Sequence, residues 1–275
     1  KNNKLHKLDA PRLMQTYYGG ALWGSWRGTE FYYHDRRRGN RQYFLRKVIA
    51  EQARVQTLIE ETDHQFIDPW GQNFQLFNHS KRLLWTSQRD GYQHVYLYES
   101  KTGRLINQVT QGQYTVRGLR GLDEQHGVLY FEASGREPNR DPYLRHLYKI
   151  NLDGTGLTLL TPEALEHSTA VASNFSYFID TSSDHNTPPV SVLRSSQDGQ
   201  VLMELHRADA SSLKSLGWQP PEAFNLLAKD GKAKLYGLIY KPSNFDPNKK
   251  YPVIDHVYPG PHDFFTPKSY DTFNN

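Results

Sequence analysis

The 275-residue chain contains no cysteine and only two methionines. Without thiols it has no disulfide staple and no thiolate metal site; this assigns no compartment, because many bacterial envelope proteins also lack cysteine, and a periplasmic or secreted location is only the expectation. No run of about 18 apolar residues occurs, so no segment reads as a membrane-spanning helix. No signal peptide is visible, and because the chain opens at Lys1 without an initiator methionine, the natural N-terminus is expected further upstream. A one-sided charge is missing too: 33 basic residues are interleaved with 29 acidic ones for a net charge of +4, unlike the field of a nucleic-acid binder. The one dense basic cluster, His34 to Arg41, lies between aromatic strands and contains Gly39-Asn40, which reads as a solvated hairpin tip. There is no glycine-rich phosphate loop and no metal spacing among His34, His64, His79 and His94, so neither cofactor nor metal is expected. The nucleophile signature G-x-S-x-G is absent as well. In "GSWRG", Gly24 to Gly28, the serine stands one place early, and Ser25 reads as structural.

What the chain has instead is rings: 13% of its residues are aromatic and 18 are tyrosine. Such residues favour sheets, where they pack across strands. From Ala21 a unit of roughly 50 residues recurs, each with four short strand patterns bounded by Gly, Asn or charge. Phe44, Tyr96 and Tyr148 fall on third strands, and His34, Thr86, Ala133 and Thr181 on second strands. Ser100–Arg104, Leu152–Gly156 and Gln197–Gln200 supply glycine to the turns between third and fourth strands. A four-stranded sheet cannot cover both its own faces, so the repeat predicts neighbouring blades of a β-propeller. The expected fold is mainly β: about four four-stranded blades over residues 20–210, as part of a larger ring. Arg136 to Arg145, with Pro138 and Pro142, predicts an excursion on one rim, where propellers meet substrates and partners. Residues 211–221 predict a linker with one short helical turn, capped by Asp209 or Ser211 and stopped by Gly217 and the paired prolines. Beyond it come a hairpin turning at Asp230-Gly231 and a buried strand from Tyr251 to Tyr258, rich in β-branched residues and ended by Pro259-Gly260-Pro261.

"KKYPVIDHVYPGP" and "WTSQRDGYQHVYLY" resemble the dipeptidyl peptidase IV family of the prolyl oligopeptidase clan of serine peptidases. The resemblance runs from about Phe31 to His262 and implies that residues 222–275 open a truncated α/β-hydrolase catalytic domain. It implies peptide substrates, release of N-terminal dipeptides often after Pro or Ala, and room for a homodimer of the parent protein. Tyr258 would donate its hydroxyl to the oxyanion hole. The nucleophile, acid and base would all lie outside this chain, leaving it inactive alone. Glu60-Glu61 is the only such pair, but its place at a strand end does not match the family's amine-binding glutamates and reads as a solvated edge. Asp255 and His256 are strand neighbours facing opposite ways, which cannot make a base and its orienter. Another peptidase of the clan, such as an acylaminoacyl peptidase or oligopeptidase, and a non-enzymatic propeller scaffold remain as alternatives.

Overall fold

Short apolar runs separated by polar and glycine-containing turns fold the chain into successive antiparallel meanders. The computed structural model describes residues 8, 10, 24–69, 71, 73–257 and 265–271. Sheet one is β1 (Gly24–Arg27), β2 (Glu30–Arg36), β3 (Gln42–Ile49) and β4 (Arg54–Thr62), in that order. Sheet two is β5 (Phe74–Leu76), β6 (Arg82–Ser87), β7 (His94–Glu99) and β8 (Leu105–Gln108). Sheet three comprises β9 (Thr115–Asp123), β10 (Val128–Ser134), β11 (Arg145–Asn151) and β12 (Thr158–Leu159). Sheet four comprises β13 (Glu166–Val171), β14 (Tyr177–Ser183), β15 (Val190–Ser195) and β16 (Val201–Arg207). All four run in sequence order, as the repeat predicts for propeller blades.

The chain divides into two compact units: Lys1–Val116 with Leu122–Val128 and Ile150–Gly156, and Arg117–Gly121 with Leu129–Lys149 and Leu157–Asn275. In the first unit, Tyr32, Tyr43 and Leu45 of sheet one meet Leu83, Trp85, Tyr96 and Tyr98 of sheet two in one buried cluster. Trp85 stands directly across the ladder from Tyr96, and Leu83 from Tyr98. Leu84 and Leu97, on the opposite face, are also buried. Burial on both faces explains why "RLLW" and "HVYLY" are almost continuously apolar instead of alternating. In the second unit Phe131 stacks on Tyr148 at 5.7 Å, beside a core that includes Leu129, Leu147, Leu160 and Phe178.

Glycines at equivalent turns bring the backbone of one meander against its predecessor. Gly103 and Gly199 follow the third strands of sheets two and four, with φ of +77° and +78°. A Cβ at Gly103 would overlap the Leu58 carbonyl, and one at Gly199 the Leu160 carbonyl. Both positions therefore forbid a side chain twice, by dihedral and by space. Gly199→Ala is expected to cost roughly 2 kcal/mol or more, and Gly127→Ala, where φ is +68° but nothing lies within 4 Å, only about 1 kcal/mol. Urea unfolding of the two variants checks this; equal losses would contradict it.

The linker contains α1 (Ser211–Ser215), with Ala210 at its N-cap position. Asp209 acts from one residue further out, accepting the Ser211 amide at 2.8 Å and its hydroxyl at 2.9 Å. Gly217, at φ +82°, ends the turn. β17 (Glu222–Leu227) and β18 (Lys234–Ile239) then pair as the expected hairpin, with Gly231 at φ +67°. The third strand expected here is not formed. Tyr251–Val257 carries no strand assignment, and Val253 and Ile254 are each 92% exposed. Among the described residues no strand lies beside this run to satisfy its amides, and an apolar strand without ladder partners gains nothing from pleating.

Candidate functional site

Two polar clusters stand out from the sheets. The first lies where β4 ends. Glu60, Glu61, Thr62, Asp63, Ile67, Gln88 and Arg89 line a depression of about 220 Å³. β4 pairs with β3 so that Glu61 faces Tyr43 and Glu60 faces Phe44 across the ladder. Arg89 is fixed by its Nε donating to Ser87 Oγ at 2.8 Å and by its guanidinium lying 4.3 Å over the Tyr96 ring. It also forms an ion pair with Glu61, whose side chain is only 9% exposed. The solvated edge expected of the Glu60-Glu61 pair therefore holds for Glu60 and fails for Glu61, because the β6–β7 turn carries a cation to it. Asp63 Oδ1 accepts the amides of Gln65 and Phe66, and Gln88 Nε2 donates to the Phe66 carbonyl, so the depression has a braced floor. With Glu61 paired to Arg89, the other carboxylates lining this depression are those of Glu60 and Asp63.

The second cluster is buried in the second unit. Asp180 on β14 accepts from His167 Nδ1 at 2.9 Å and from Arg194 Nε at 2.9 Å. Arg194 continues to the Gly199 carbonyl at 3.0 Å and to Glu163 at 2.8 Å, while His167 Nε2 lies 3.1 Å from the Glu163 carbonyl. The side chains of His167 and Asp180 have no exposure at all. Glu163, His167 and Asp180 bring ligand-type atoms within 4.8 Å of one another. Arg194 nevertheless holds both carboxylates, so the cation of this cluster is a guanidinium, and a metal ion would meet a like charge. Sequence spacing hid the group, because its members come from a loop and three strands.

Buried histidines recur at the openings of third strands. His94 Nδ1 meets Thr110 Oγ1 at 3.0 Å, and the same hydroxyl accepts the Val95 amide. His146 Nδ1 meets the Thr161 carbonyl at 2.8 Å, and Thr161 Oγ1 accepts the Leu147 amide. Thr110 and Thr161 thus fasten the chain just beyond the fourth strand back onto the third. His34 packs edge-on against Phe74 and Trp85, and burial lowers its pKa to about 4. Burial and the neighbouring His167 lower that of His146 to about 4 as well. Unfolding raises both toward 6.5, so the unfolded chain binds more protons between those values. Stability should be complete above about pH 6.5 and fall as the pH drops toward 4, by roughly 2–3 kcal/mol for His34. Urea midpoints measured across this range should flatten in His34→Phe; an unchanged slope would contradict the assignment.

Among the described residues, the remaining sequence-predicted ones are not drawn into a catalytic constellation. Tyr258 lies outside the described residues. Ser25 sits in β1 opposite Tyr32, in an ordinary ladder position. Asp255 and His256 are exposed on irregular chain, so their predicted strand alternation is not formed. His64 is solvent-facing, with 88% of its side chain exposed. No helix among the described residues is long and apolar enough to cross a membrane.

Four consecutive four-stranded antiparallel meanders, with glycine contacts of the second on the first and of the fourth on the third, define the class: a β-propeller domain. Residues 2–189 match the dipeptidyl peptidase IV (DPP IV) N-terminal region, and the chain belongs to that family. It is 31% identical over 164 residues to human dipeptidyl peptidase 8, covering 56% of this chain and 18% of the relative. It is 25% identical over 178 residues to dipeptidyl peptidase 4 of Trichophyton equinum, covering 64% of this chain and 22% of the relative. The fold is shared with the crystal structure of Porphyromonas gingivalis dipeptidyl peptidase 4, at a TM-score of 0.65 and 23% identity, over 82% of this chain and 31% of that one. The chain thus spans about a fifth of the length of these curated relatives.

Proposed function

We propose that this chain supplies the later propeller blades and the opening of the α/β-hydrolase domain of a serine exopeptidase that releases N-terminal dipeptides, often after Pro or Ala. The observation that carries this reading is order: blades of the family's N-terminal region, then the α1 linker, the β17–β18 hairpin and the Val257-Tyr258-Pro259-Gly260-Pro261 segment. The relatives named above are dipeptidyl peptidases, which supports peptide substrates. In this reading the blades screen the active site, admitting narrow, unfolded chains. The carbonyl under attack acquires negative charge only in the tetrahedral intermediate, and Tyr258, a neutral phenol, would stabilise that charge selectively through its O–H. Nucleophile, base and acid come from elsewhere in the parent protein. The 275-residue chain alone should therefore give no turnover of Xaa-Pro chromogenic amides above buffer. Turnover by the chain alone, blocked by a serine-reactive phosphonate, would overturn the division of labour.

A further inference from the structure

The seven residues Phe265–Asp271 have no regular secondary structure, yet side chains hold them at three points. Thr266 Oγ1 donates to the Tyr236 carbonyl of β18 at 3.1 Å. The Tyr270 amide donates to Ser183 Oγ, at the end of β14, at 3.2 Å, and its ring lies 5.4 Å from that of Trp218 in the linker. Between these points Lys268 reaches into a cage. Its Nζ is 2.7 Å from Asp141 Oδ2, 5.1 Å from the Tyr143 ring centre and 5.3 Å from that of Tyr236. The two rings meet edge to face at 5.7 Å.

This differs from a surface ion pair. Only 8% of the Lys268 side chain is exposed, and an ammonium taken from water is attracted more strongly by ring faces and by a carboxylate than one left in solvent. The cage walls come from separate elements: Asp141 and Tyr143 from the excursion between β10 and β11, and Tyr236 from the hairpin after the linker. A backbone ladder would hold such a junction through many bonds. Here a buried cation and the contact of two rings join the two sides.

We propose that Lys268 is a clasp, fastening the β10–β11 excursion to the segment that follows Tyr258, and that it is thereby a positioning residue for the oxyanion donor. The second half of this proposal rests on the peptidase reading. Lys268 lies ten residues beyond Tyr258 in sequence and Tyr236 on β18 lies upstream of it, so the clasp ties together described chain on either side of Tyr258. A donor that must meet an oxygen to within a few tenths of an ångström depends on the support of such neighbours.

The test uses the full-length protein, with Lys268→Met, Asp141→Asn and Lys268→Arg variants. Lys268→Met keeps the apolar stem and removes the charge. Hydrogen exchange should accelerate roughly tenfold in peptides covering residues 135–144 and 265–271 together, with β13–β16 unchanged, and Asp141→Asn should do the same. On an Ala-Pro amide, Lys268→Met should lower kcat roughly tenfold with KM nearly unchanged, and Lys268→Arg, which keeps both the charge and the ring contacts, should recover most of it. Faster exchange confined to 265–271 would refute the clasp. Coupled exchange with unchanged kcat would refute the positioning role. An inactive wild type would remove the peptidase reading and the positioning role with it, while the exchange result would still decide the clasp.

Discussion

Arg194→Met should cost the chain about 3–5 kcal/mol of stability, the range for removing one partner from a buried ion pair. Arg194 is 5% exposed at its side chain, and Asp180, which it serves at 2.9 Å, is not exposed at all. Without the guanidinium, Asp180 keeps His167 as its remaining partner, Glu163 loses its cation, and the Gly199 carbonyl loses its donor. The Gly199 turn is also where the backbone presses on Leu160, so the cluster and the glycine contact support the same junction. The penalty arises from desolvated charge, not from lost volume, since methionine fills much of the same space. Adding Asp180→Leu to Arg194→Met should therefore recover part of the loss. Urea unfolding with circular dichroism measures both; a loss under about 1 kcal/mol in the single variant would mean that water reaches this cluster.

On the proposed peptidase reading, Tyr258→Phe in the full-length protein should lower kcat by roughly 10² to 10³ while leaving KM nearly constant, the effect of deleting one oxyanion donor. Phenylalanine keeps the ring and lacks only the O–H. A donor in the proposed role acts on charge absent from the ground state, so substrate binding has little to lose. A change confined to KM would place Tyr258 in the wall of the substrate pocket instead.

The blades were legible because their information is local. Glycine at three of the third-to-fourth strand turns, rings on three of the third strands and a period near 50 residues recur along the sequence, and the sixteen blade strands fall on the short apolar runs of that repeat. The buried cluster was illegible for the opposite reason. Glu163, His167, Asp180 and Arg194 are unremarkable in sequence and converge only once β13, β14 and β15 are in register. Glu61 looked like a solvated strand end because nothing in "IEET" shows that Arg89 will arrive from another sheet. Thr110 and Thr161 gave a signal that could have been used: each stands just after a fourth strand and 14 to 16 residues beyond the third-strand position whose backbone or histidine it binds. The strand expected over Tyr251–Tyr258 has the right composition, but composition reports what a strand would bury and not whether a neighbour is there to pair with it.

The most direct measurement is an assay of the full-length protein, expressed from its complete reading frame, on Gly-Pro and Ala-Ala chromogenic amides with and without a serine-reactive phosphonate. Stepwise dipeptide release that the phosphonate abolishes is the expected result. A folded full-length protein that releases nothing would contradict it and leave the propeller as a binding scaffold.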